Sequence, residues 1–68
     1  MTTSVMEIYS VEIGDILLVN GDLYTVVNSD YPDESDDIIL TLVDEEGGRK
    51  QLRAPATKGV NIVVPEYI

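Results

Sequence analysis

The chain has 68 residues, 13 of them acidic and 4 basic, giving a net charge of −9, and it contains no Cys and no His. That length holds one domain, burying only roughly 60% of its unfolded surface, and the composition excludes disulfide staples, thiolate or imidazole metal sites and catalysis built on His or Cys. The acid is concentrated: residues 1–48 carry 12 carboxylates and no Lys or Arg, whereas Arg49, Lys50, Arg53 and Lys58 all fall within 49–68, with Glu66.

The hydrophobic set of 9 Val, 7 Ile and 6 Leu, with 4 Tyr and neither Phe nor Trp, is dominated by β-branched side chains that suit a pleated, half-buried surface. Residues 5–13 alternate imperfectly, with Val5, Glu7 and Tyr9 opposed to Met6 and Ile8, and predict a short first strand with a bend at Ser10. Gly14-Asp15 has no strand character and turns the chain sharply into Ile16-Leu17-Leu18-Val19. Asn20-Gly21 then supplies the positive φ angles of a two-residue type I′ turn, so 15–20 and 23–29 read as a hairpin. Residues 30–37, Asp-Tyr-Pro-Asp-Glu-Ser-Asp-Asp, end the ladder in an exposed acidic loop. Residues 38–43 form a strand apolar on both faces except at Thr41, and Asp44-Glu45-Glu46-Gly47-Gly48 a second hairpin turn. Residues 49–54 read as an edge strand or a solvated one, guarded by its charges. Residues 54–59 are too short for a helix and too proline-bound for a strand, and predict a single 3₁₀ turn. Residues 60–64 are the last strand, ended by Pro65 and followed by Glu66-Tyr67-Ile68.

Five or six short strands joined by tight turns predict an all-β, closed or nearly closed small barrel, with 1–68 as its single domain. Gly14-Asp15-Ile16-Leu17 resembles the Gly-Asp-hydrophobic lead into the second strand of SH3-like barrels, and 59–68, with Pro65 and Tyr67, resembles the close of an SH3 domain. The whole run is also similar to short uncharacterised barrels common in bacteriophage genomes. The resemblance implies a small SH3-like barrel of five to six antiparallel strands with one 3₁₀ turn before the last strand. It further implies a phage-encoded or prokaryotic accessory protein, and the absence of Cys makes the cytoplasm its expected setting. The chain departs from peptide-binding SH3 domains in having no Trp, no aromatic motif in its first strand and one residue rather than two between Pro65 and Tyr67. A polyproline groove needs an aromatic lining, so that activity is not implied.

No enzyme is expected, because the many carboxylates lack the apolar surroundings that raise a pKa for acid catalysis. No cofactor or metal is expected either. The loop 30–37 offers hard oxygen ligands but lacks the spacing, the Gly and the closing Glu of a calcium loop. An anionic surface repels phosphate backbones, which argues against direct nucleic-acid binding and for a partner with a basic surface. No apolar run reaches the ~20 residues of a membrane span, and the first residues lack the basic start and apolar core of a signal peptide, so no membrane role is expected. Arg49, Lys50 and Arg53 have no aromatic among them to stack on a base, and cross-hairpin pairing with acids is the simpler role.

Two strands carry more apolar surface than one core can take: Ile16 and Leu18 oppose Leu17 and Val19, and Ile38, Leu40 and Leu42 oppose Ile39 and Val43. The surplus is covered within the chain or by another polypeptide, which leaves a homodimer open. Tyr9, Tyr24 and Tyr31 are natural anchors at the rim of such a contact. The expectation is a non-catalytic acidic protein-interaction module whose binding residues are Tyr24, Tyr31, Asp33, Glu34, Asp36, Asp37 and Tyr67. Mimicry of DNA toward a basic DNA-binding protein, and self-assembly as a structural component, are the alternatives. The charge makes a partner-independent prediction: added NaCl screens self-repulsion and raises the melting temperature. A steady fall between low and moderate salt, followed by circular dichroism, contradicts it.

Overall fold

The computed structural model describes residues 2–32 and 34–64. Among them the chain forms six antiparallel strands, β1 Thr2–Glu7, β2 Ile16–Val19, β3 Asp22–Asp30, β4 Asp37–Asp44, β5 Arg49–Pro55 and β6 Gly59–Val64. Their order across the sheet is β1-β6-β2-β3-β4-β5. The four middle strands in sequence form a meander, and β6 returns to lie between β1 and β2. Both β1 and β5 are ends of that order, so the sheet wraps a core without closing into a ring.

Local chemistry accounts for the turns. Asn20 and Gly21 both take positive φ, 51° and 84°, as the type I′ turn between β2 and β3 requires. Gly14, at φ 100°, forms an elbow before β2: its N–H donates to the Val26 carbonyl at 2.8 Å, and the Val26 N–H returns a bond to the Asp15 carbonyl at 2.9 Å. The Asp15 carboxylate accepts from the Glu12 N–H at 2.9 Å, clipping the elbow shut. At the β4–β5 turn Asp44 does similar work, its Oδ1 accepting from the N–H groups of Glu46 (2.9 Å) and Gly48 (2.7 Å). Gly47 takes the left-handed conformation there. A Cβ at Gly48 would sit 2.6 Å from Asp44 Oδ2 and would displace the carboxylate that holds the turn.

The core is Ile8, Val11, Leu17, Val26, Ile38, Leu40, Leu42, Ala54 and Ile62, with Met6, Val19, Tyr24, Leu52, Ala56 and Val60 packed on it. On β4 Ile38, Leu40 and Leu42 are buried while Ile39 and Val43 are half-buried. Strand β2 behaves alike: Leu17 is fully buried, and Ile16 on the other face is 40% exposed. A bulge at Val27 shifts the β3–β4 register between Val26 and Asn28. It re-phases β3 so that Ser29, not Asn28, lies opposite core-facing Leu40.

One sequence expectation needs correction. The first strand is not centred on 5–13; it runs over Thr2–Glu7 and stops where Ile8–Ser10 forms a 3₁₀ turn. Burial of Ile8 drives that break, because the side chain must point into the core while the chain swings from the β6 side toward β2. Between β5 and β6 the irregular turn is a single reversal closed by the Lys58 N–H donating to the Pro55 carbonyl at 2.9 Å. That is the i→i+3 bond of a 3₁₀ turn without the length of a helix.

Leu42→Ala should cost ~2–5 kcal/mol, the range for emptying a buried leucine site, whereas Ile16→Ala, on a half-exposed side chain, should cost well under half as much; urea unfolding measures both. Gly21→Ala should cost roughly 1–2 kcal/mol, because an L side chain is strained at that φ, and the same titration detects it.

Candidate protein-binding site

Three segments distant in sequence meet at one end of the sheet, and Ala56 ties them together. Its N–H donates to the Asp36 carbonyl at 3.0 Å, and its own carbonyl accepts from the Tyr9 N–H at 3.2 Å. Next to it the Ile8 N–H donates to the Lys58 carbonyl at 2.8 Å. The 3₁₀ turn, the 31–36 loop and the β5–β6 turn are thereby joined through the backbone, leaving their side chains available. The loop is also braced internally, with the Ser35 N–H on the Pro32 carbonyl and the Asp37 N–H on Ser35 Oγ at 3.0 Å.

These segments enclose an open cleft of about 450 Å³ walled by Tyr9, Tyr31, Asp36, Asp37, Pro55 and Thr57. Tyr9 and Tyr31 are 64% and 57% exposed, so two aromatic faces stand uncovered beside carboxylates. Tyr is suited to such a place, having a large rigid apolar body with a polar tip. Asp37 is partly neutralised: Arg53 Nε donates to its Oδ2 at 3.0 Å across the β4–β5 hairpin, the cross-hairpin pairing expected of these cations. Asp36 and Glu34 have no cation partner among the described residues.

The expected binding set is thus divided. Tyr31, Asp36 and Asp37 line one cleft and Glu34 sits in the same loop, but Tyr24 lies elsewhere. It opens β3 at the opposite end, roughly 20 Å away at ~3.3 Å per residue. There Lys50 Nζ stands 5.1 Å from its ring centroid, a cation–π contact. Tyr24 also packs on the core and shares a second open hollow with Asp22, Asp44, Glu45 and Glu46. Asp33 and Tyr67 fall outside the described residues. Pro55, Ala56 and Thr57 belong to the cleft without having been singled out in the sequence, since nothing local announces the bond from Ala56 to Asp36.

Among the described residues no group of three or more carboxylates converges as a metal ligand set, and no helix is long and apolar enough to cross a membrane. No family model matches the chain, and no curated protein matches it. Among solved structures it is similar to a translation initiation factor eif-5a family protein from Naegleria fowleri, with a TM-score of 0.70 and 11% identity. The match covers 88% of this chain and 46% of that one, so the chain spans less than half that protein's length. At this identity the likeness speaks for the fold alone, a small β domain.

Proposed function

We propose that the protein is a non-catalytic interaction module that binds and modulates another protein through a basic surface on that partner. The observation that carries the reading is the Tyr9–Tyr31 cleft, where two exposed aromatic rings adjoin the uncompensated carboxylate of Asp36 on a backbone-braced frame. Aromatic side chains provide contact area at small entropic cost, and the carboxylates provide attraction over distance and orientation on arrival. The net charge of −9 adds a general pull on cationic partners. The cytoplasm is the setting this reading assumes, and a phage-encoded or prokaryotic accessory role rests on resemblance. Nothing of the translation factor's role is transferred, because fold likeness does not carry function.

Mimicry of DNA is the weaker reading on charge layout. The acids gather at two ends of the sheet, Glu34, Asp36 and Asp37 at one and Asp22, Asp44, Glu45 and Glu46 at the other. Strand β5 strings Arg49, Lys50 and Arg53 between those ends, interrupting the continuous anionic face that a phosphate mimic presents.

The test is capture of a partner from bacterial lysate by the tagged protein, followed by titration of the purified pair. Tyr31→Ala and Asp36→Lys should each weaken binding about tenfold or more, as for truncation of a contact-centre residue. Glu45→Lys, at the far end, should leave it within a factor of about two, as for a charge outside the contact. Equal loss from all three variants, with binding abolished by moderate salt, assigns the interaction to diffuse charge and favours mimicry. No change at Tyr31 or Asp36 removes the cleft from consideration.

A further inference from the structure

Strand β1 contributes little to its own core. Five of its six side chains are exposed and only Met6 is half-buried. Val5, at 73%, is the most exposed large hydrophobic side chain among the described residues. Yet β1 pairs with β6 in unbroken register from Thr2↔Val64 to Glu7↔Gly59. Its other edge has no strand beside it among the described residues, and in an antiparallel ladder alternate N–H and C=O groups point out along that edge.

Natural sheets guard free edges with lysine, proline, bulges or inward charges. The opposite edge, β5, is guarded in this way by Arg49, Lys50, Arg53 and its terminal Pro55. Strand β1, Thr-Thr-Ser-Val-Met-Glu, has no cation, no proline, no glycine and no bulge. From Thr3 to Glu7 this edge is unguarded among the described residues and is a template for another strand, and charge selects which. A basic segment finds one carboxylate on β1, Glu7, and far more at either end of the sheet. A second copy, by contrast, brings a net charge of −9 and is repelled from most of the acidic surface. Residues 2–11 contain a single acid, Glu7, of the 12 within residues 1–48, so β1 is where two copies approach with the fewest like charges opposed. In an antiparallel register centred on Val5, Val5 lies beside Val5 of the second copy and Glu7 beside Thr3, with no carboxylate facing another. A parallel register would set Glu7 against Glu7.

We propose that β1 is a homodimerisation edge: two copies pair their β1 strands antiparallel about a two-fold axis at Val5, forming one continuous twelve-stranded sheet. This rests on different residues from the Tyr9–Tyr31 cleft and stands or falls separately from it. Symmetric pairing closes on itself, whereas pairing β1 with the cationic β5 of another copy would propagate an open filament.

Sedimentation velocity over a concentration series, at low and moderate NaCl, tests the proposal. The expected result is a reversible monomer–dimer equilibrium that shifts toward dimer as salt screens the repulsion between copies. Val5→Lys places like charges across the axis and should weaken the dimer about tenfold or more, a shift of at least one decade in the concentration midpoint. Its unfolding curve should stay close to that of the parent, because the side chain is exposed. Arg49→Glu on β5 should leave the dimer intact. Amide hydrogen exchange on the unsubstituted chain gives a second readout, with β1 amides becoming more protected as concentration rises. Monomer at every concentration and salt overturns the proposal, as does a dimer that dissociates on adding salt or survives Val5→Lys. Protection of β1 that appears only when a basic protein is added would assign the edge to that protein instead.

Discussion

The rest of the structure depends on the placement of the last strand between the first two. Strand β6 hydrogen-bonds β1 on one side and β2 on the other, so β1, whose one partner strand among the described residues is β6, is not fixed until the chain has nearly all been laid down. The β2–β5 meander pairs neighbours through short turns and can assemble locally, but Ile62 completes the core opposite Leu17 only when β6 arrives. Closing that contact costs loop entropy before burial offsets it. The same return stroke brings the β5–β6 turn beside the 3₁₀ turn, and so shapes the cleft. Architecture and candidate site share one topological event.

The acidic residues divide by duty. Asp15 and Asp44 use their carboxylates on backbone N–H groups at turns, and Asp37 is engaged by Arg53. These groups stabilise the fold, and their charge is partly spent on neighbours. Asp36, Glu34, Glu45 and Glu46 make no such contribution and remain as surface charge. The net charge of −9 already counts Arg53 against Asp37, and the carboxylates of Glu34, Asp36, Glu45 and Glu46 lie at the two ends rather than across the sheet.

Much of the fold was legible because its signals are local. Asn20-Gly21, Gly14-Asp15 and the Asp44 turn each announce their conformation within four or five residues, and the alternation along β4 separated Ile38, Leu40 and Leu42 from Ile39 and Val43 without telling which set is buried. What escaped was nonlocal. Nothing near Thr2–Glu7 indicates that its partner lies at 59–64, and the 3₁₀ turn at Ile8–Ser10 exists because Ile8 must reach a core built by later residues. The bulge at Val27 is equally silent, since Val26-Val27-Asn28 reads as plain strand. At the site, the tyrosines and the acidic loop were visible, but grouping Tyr24 with Tyr31 required knowing that β3 holds them at opposite ends. The covering wall at Pro55, Ala56 and Thr57 depends on one backbone bond to a residue twenty positions earlier.

The pairing of Thr2 with Val64 sets two positions more than sixty residues apart in sequence within about 5.5 Å of each other. A short linker between those strands, with the chain reopened at Glu45-Glu46, gives a circular permutant in which β6 and β1 become a local hairpin. The longest-range contact of the native order would then be the shortest. The cut makes β4 and β5, neighbours through a short turn in the native order, the two ends of the permuted chain, so the same native neighbours are kept while the nonlocal closure passes from β1–β6 to β4–β5. Comparing the two chains sets the kinetic cost of closing the sheet at β6 against that of closing it between β4 and β5.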